Sequence, residues 1–265
     1  MGGDGPSRSG AGPVTPHTMT VGVAGVKGAG VSTVAHAVAA ASGPAVLVEA
    51  DPSGGSLLAW CETLRPAADL YDVVMSRGDG GLTAAAQQLG ELAVLPSWGT
   101  SFRMAQALSR PRVPWELLFG EVEGTVVVDV GRIAPESPTL GLLAATDVVV
   151  LVAPSEPGPV AATMEWANRA GRHGAGGVGL PAERLRMVTT EVVSRRRRHS
   201  VTPRDLSAVT GAAFLGHFPH DDDAVELLRR GVPVTDRSLR GRRFVEMAQW
   251  VAQALADPTR VGIVG

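Results

Sequence analysis

Three short stretches of this sequence carry residue types and spacing suited to holding a polyphosphate and a divalent cation. The first is Val21 to Val34, VGVAGVKGAGVSTV. Glycines at Gly25, Gly28 and Gly30 let backbone N–H groups approach phosphate oxygens at φ values a side chain forbids. Ser32 suits a helix N-terminus and is a ligand type for Mg²⁺. The second stretch is Glu49-Ala50-Asp51-Pro52, and the third is Asp129 with Gly131 two positions on. Carboxylates beside a phosphate loop can bind the cation and orient a water molecule.

Aligned on Gly25, the phosphate-loop pattern G-x-x-x-x-G-K-[ST] is met at Gly25, Gly30 and Ser32, but Val31 stands where lysine belongs. Lys27 lies in the same loop and is the only lysine of the chain. Gly25, Lys27, Gly28, Ala29, Gly30, Val31, Ser32 and Thr33 are therefore the candidate nucleotide contacts. The bland alternative is a glycine-rich turn between a buried strand and a helix.

These residues need strands and helices to position them. Met19 to Ala24 is an apolar run of strand type entering the loop, and Thr33 to Ala41 reads as the helix leaving it. Ala45 to Ala50, Thr125 to Val130 and Asp147 to Ala153 read as buried parallel strands, the first two ending in acids. Further strands are expected at Leu92 to Pro96, Leu185 to Thr190 and Ala213 to Phe218. Helices are expected at Ser56 to Thr63, Gly81 to Leu89, Ser101 to Ser109, Trp115 to Phe119, Pro157 to Ala170, Pro203 to Val209, Asp223 to Arg230 and Leu239 to Leu255. Strands alternating with helices predict an α/β fold: a doubly wound, mostly parallel sheet with helices on both faces. Its ligands would bind at the carboxyl ends of the strands.

Composition narrows the class. Of the 265 residues 45% are hydrophobic but only 4% aromatic, so the core must be built from Val, Leu and Ala. A net charge of −2 argues against a general attraction to nucleic acid or anionic lipid. The lone Cys61 excludes an internal disulfide framework and fits a reducing cytoplasm. Residues 1–18 are rich in Gly, Pro and Ser and read as a disordered tail, 19–256 as one domain, and 257–265 as a short tail. No apolar run is long enough for a membrane span.

The order of these stretches, with Phe218-Pro219-His220-Asp221 late in the chain, resembles the MinD/ParA superfamily of P-loop ATPases. The resemblance runs from about Met19 to Leu255. It implies a deviant Walker A loop in which Lys27 resembles the family's signature lysine, although the loop is one residue short. Val31 replaces the second, phosphate-clamping lysine. It further implies that Asp51 positions the attacking water and that Asp129 is the Walker B acid, with Ser32, Asp51 and Asp129 as the Mg²⁺-site residues. Glu49 stands where the family has the first aspartate of D-x-D-P. Pro219 and Asp221 would lie near the base of ATP, and Met187-Val188-Thr189-Thr190 lacks the family's base-reading asparagine. The loop most resembles the atypical TadZ/CpaE-like members. The resemblance implies ATP and Mg²⁺ as cofactors, a nucleotide-dependent homodimer and a protein partner in a localisation or secretion machine. Hydrolysis is expected to suffer more than binding.

Other features weigh less. Arg195 to Arg198 could touch DNA phosphates but read more simply as a solvated turn. The glycine-rich Gly171 to Gly179 could be a lid. The final amphipathic helix is expected to pack on the sheet. The histidines and Cys61 show no metal-ligand spacing.

Overall fold

The computed structural model describes residues 18–76, 81–98, 100–134, 137–170, 180–191 and 211–257. The expected lid at Gly171 to Gly179, the basic run Arg195 to Arg198 and the helix at Pro203 to Val209 fall outside the described residues.

Among the described residues eight strands form one sheet: β1 (Met19–Gly25), β2 (Ala45–Glu49), β3 (Gln87–Leu89), β4 (Leu92–Leu95), β5 (Thr125–Arg132), β6 (Val148–Pro154), β7 (Leu185–Thr190) and β8 (Ala213–Phe218). Their order is β3-β4-β2-β5-β1-β6-β7-β8, and every neighbouring pair is parallel except β3 with β4. Among the described residues the α-helices are α1 (Val31–Ala41), α2 (Leu57–Trp60), α3 (Leu70–Met75), α4 (Gly81–Ala85), α5 (Ser101–Leu108), α6 (Trp115–Gly120), α7 (Leu140–Ala144), α8 (Pro157–Ala170), α9 (Asp222–Arg229) and α10 (Arg243–Ala256).

The expected doubly wound sheet is what forms. Its β-branched strands are buried on both faces, and their two-residue period sorts side chains into two apolar layers. Val126, Val128 and Val130 of β5 join the layer with α5, α6 and α8, while Val127 joins the layer with α1, α9 and α10. On β2, Val46 and Val48 face the first layer and Ala45 and Leu47 the second. α10 packs on α1 and β8, as expected, through Phe244, Val245, Ala248 and Val251.

Several elements differ from the expected ones, α7 among them, which the sequence pattern does not predict. The helix expected over Gly81 to Leu89 stops at Ala85, and Gln87–Leu89 becomes an edge strand paired antiparallel with β4. Gly90, at φ 62°, closes that hairpin, and its Cα lies so close to the Gly231 carbonyl that a Cβ would overlap it. The segment expected to be helical from Ser56 to Thr63 keeps four helical residues, Leu57–Trp60. α10 begins at Arg243, because Gly241 at φ 76° breaks the chain after a buried Leu239. α3 arises from an Asp69/Asp72 capping box before Leu70 and had no counterpart in the sequence reading. At the other edge, β8 carries a register shift against β7 and a glycine, Gly216, whose missing Cβ is filled by Met247.

Candidate functional site

β1 lies between β5 and β6, while β2, the next strand in sequence, lies beyond β5. This reversal of winding opens a crevice at the carboxyl end of β1, where the glycine loop sits. Gly25 has no room for a side chain: a Cβ there would overlap the Val152 carbonyl and come within 2.8 Å of Val31 Cγ2. Gly28 and Gly30 are different. They adopt φ 76° and 75° with open space beside them, so glycine is required there by backbone conformation alone. Gly30 is the residue preceding α1, and its carbonyl accepts from Val34 N (2.9 Å). Thr190 Oγ1, at the end of β7, donates to the Ala29 carbonyl (2.9 Å) and ties the loop to the sheet. That tie was not read from the sequence, because its partners are 161 residues apart.

Val31 is the first residue of α1. It is 7% exposed and packs with Val21, Ala29 and Val34 in the apolar layer under the loop. The position that would normally carry the clamping lysine is therefore part of the core. Lys27 is exposed and borders a cavity of about 370 Å³ with Arg132, Ile133, Pro159, Glu165 and Trp166. A second cavity of about 260 Å³ opens on the other side of the loop, lined by Gly28, Gly30, Thr33, Thr190, Pro219 and Asp221 among others. Pro219 and Asp221 thus do come to the loop. The Asp221 carboxylate is already engaged: Oδ1 accepts from Ala224 N (3.0 Å), capping α9, and pairs with Arg242 Nη1 (2.6 Å).

Three carboxylates meet at the ends of β2 and β5. Glu49 and Asp129 are register partners on adjacent parallel strands. Each leaves its strand on the face that Leu47 and Val127 mark, toward α1. Asp129 is 1% exposed; Oδ1 accepts from Gly131 N (2.9 Å), and Oδ2 is buried without a protein hydrogen bond. Burial raises its pKa to about 7, assisted by the Glu49 and Asp51 charges and opposed by the Ser32 hydroxyl and the Gly131 N–H. Asp51 is half-buried above Gly131, and its Oδ1 accepts from Ser53 N (2.7 Å). A Cβ on Gly131, which has φ 62°, would overlap the Asp51 carboxylate. Burial raises the Asp51 pKa against that Ser53 bond.

Glu49 has a structural task. Its Oε1 accepts from Ser56 N (2.5 Å) and Leu57 N (3.0 Å) at the start of α2, and its Oε2 from Ser97 N (2.9 Å). Burial raises its pKa and those three N–H groups pull the other way. It therefore shapes the Asp51–Ser56 loop from beneath. Its Ser97 partner is 48 residues away, out of reach of any local pattern.

Among the described residues no group of three or more His, Cys, Asp or Glu side chains is arranged to hold a metal ion. A larger cavity, about 720 Å³, surrounds His36 at the far end of α1 and includes none of the loop residues. Among the described residues no helix is long and apolar enough to cross a membrane.

No protein-family model and no curated protein sequence matches the chain. Solved structures match in shape. The septum site-determining protein MinD from Pyrococcus horikoshii OT3, complexed with Mg-ADP, gives a TM-score of 0.68 at 16% identity, covering 92% of this chain and 98% of that one. The cell division ATPase MinD of Pyrococcus furiosus gives 0.66 at 17% identity over 89% and 98%. A ParA family ATPase from Chlorobium tepidum TLS gives 0.65 at 17% identity over 88% and 98%. At these identities the likeness defines the fold. This chain has the P-loop fold of the MinD/ParA type over most of its length.

Proposed function

We propose that the protein binds ATP with Mg²⁺ between the glycine loop and the Asp51 and Asp129 carboxylates, and uses it as a dimerisation switch. The observation that supports this most is Asp129 Oδ2, a buried carboxylate oxygen without a protein partner. A desolvated, unpaired carboxylate oxygen is costly, and a cation would complete its coordination. Ser32, at the N-terminus of α1, and Asp129 would hold the Mg²⁺, whose charge neutralises phosphate oxygens. The N–H groups of Gly28 to Thr33 would cradle the phosphates. Asp51, seated on Gly131, would orient a water toward the terminal phosphate. The cleft beside Thr33, Pro219 and Asp221 would take the nucleoside.

The output of such a switch is spatial: a cytoplasmic homodimer that recruits a partner of a pilus or secretion machine, a septum or a chromosome. The sequence favours a TadZ/CpaE-like role in placing a Tad pilus. A second reading is supported by the burial of Val31: a scaffold of the same fold that holds nucleotide without turning it over. A DNA-partition role finds less support in the net charge of −2.

Equilibrium binding of ATP and ADP with Mg²⁺, followed by a turnover assay on the same sample, separates these. The switch requires binding and a slow turnover that Asp51→Ala abolishes. Binding without turnover selects the scaffold. Absence of binding at millimolar nucleotide rejects both.

A further inference from the structure

Burying Val31 leaves the phosphate cradle without its usual point charge, while two cations stand unused at its rim. Lys27 and Arg132 are both exposed and border the same cavity of about 370 Å³. Neither makes an ion pair or side-chain hydrogen bond among the described residues. Arg103 and Arg242, by contrast, are paired with aspartates. Glu165 borders the cavity too, and is itself engaged.

The Arg132 backbone is held in place from three sides. Arg132 is the register partner of Gly25, the first loop glycine, so their Cα atoms are separated by about one strand spacing, ~4.8 Å. The next residue, Ile133, donates its N–H to the Gly25 carbonyl (2.9 Å). Trp166 Nε1 of α8 donates to the Ala134 carbonyl (3.3 Å). On the other flank, Gly131 at φ 62° turns the chain under Asp51. A long cationic side chain thus leaves a pinned backbone next to the mouth of the loop.

The charges divide across the loop. Glu49, Asp51 and Asp129 form the acidic side, where a divalent cation belongs. Lys27 and Arg132 form the basic side, facing α8. We infer that Arg132, with Lys27 beside it, supplies the positive charge for the terminal phosphate that Val31 cannot supply. The guanidinium fork suits phosphate oxygens better than an ammonium does. This rests on the nucleotide reading above and assigns the chemistry of one side of that site to a residue outside the phosphate-loop pattern.

Calorimetric titration of ATP and of ADP, each with Mg²⁺, into the intact chain and its Arg132→Ala and Arg132→Lys variants tests it. Arg132→Ala should weaken ATP by about tenfold or more and ADP by less than about threefold, with Arg132→Lys between the two. The melting temperature without nucleotide should not move, because the side chain is exposed and makes no ion pair or hydrogen bond among the described residues. If the unaltered chain binds neither nucleotide, the nucleotide reading itself fails. If it binds and Arg132→Ala binds ATP equally well, the assignment of Arg132 is overturned while the nucleotide site stands. Equal losses for ATP and ADP would also overturn it, since the terminal phosphate would then not be the group contacted.

Discussion

Replacing Gly131 by alanine should do two separable kinds of damage. The first is conformational. Gly131 has φ 62°, a region that costs an L-residue about 1–2 kcal/mol. The second is steric. The new Cβ would overlap the Asp51 carboxylate, which must swing away and give up its bond from Ser53 N, costing about 1 kcal/mol more. Gly241 isolates the first effect, because it has φ 76° with nothing near a Cβ and is not among the site residues. For a chain of this size the expected loss in melting temperature is about 2–6 °C for Gly241→Ala and about 4–10 °C for Gly131→Ala. A double-mutant cycle sharpens the comparison. In an Asp51→Ala background, the excess cost of Gly131→Ala over Gly241→Ala should disappear. Thermal melts of the six proteins, the unaltered chain, the three single variants and the two double variants, are sufficient. If Gly131→Ala melts no lower than Gly241→Ala, or its excess survives the loss of Asp51, the seating of Asp51 on Gly131 is wrong.

Two further outcomes follow from buried ionisable groups. Burial, with the Arg229 charge adding to it, lowers the His36 pKa from 6.5 to about 4. Above pH 6.5 the imidazole is neutral in folded and unfolded chains alike. As the pH falls toward 4 the unfolded chain takes up its proton first, removing up to about 3 kcal/mol. Urea unfolding at pH 7 and pH 4.5 should show a smaller loss for His36→Leu than for the unaltered chain, and equal losses would refute this. Glu49→Ala should lower the urea midpoint at pH 7 by the equivalent of about 2–4 kcal/mol, because the N–H groups of Ser56, Leu57 and Ser97 lose their acceptor. An unchanged midpoint would mean that this carboxylate does not organise the loop.

What the sequence made legible was local. Continuous β-branched runs mark β5 and β6, and the helix Pro157–Ala170 and strands Leu185–Thr190 and Ala213–Phe218 lie where the pattern places them. Asp51 and Asp129 are recognisable because an acid at the end of an apolar strand is a one-dimensional signal. The residues that support them are not. Glu49 reads as a substituted motif position until Ser97 arrives beneath it, and Thr190 reads as strand filler until it meets Ala29. Gln87–Leu89 has helical neighbours and becomes a strand because β4 offers it an edge. The burial of Val31 is likewise a tertiary fact: a valine at a loop end says nothing by itself about which way it faces.

The ends of the sheet constrain how copies of this protein can assemble. An open edge of aligned backbone groups invites another chain to add a strand. Here one edge is β3, three residues long and reversed against the rest, and the other is β8, kinked at Gly216. Neither offers a straight row of donors and acceptors for continuing the sheet into a neighbour. Strand addition at either of these described edges is disfavoured. The short reversed edge and the kinked edge are both poor templates for fibrous stacking.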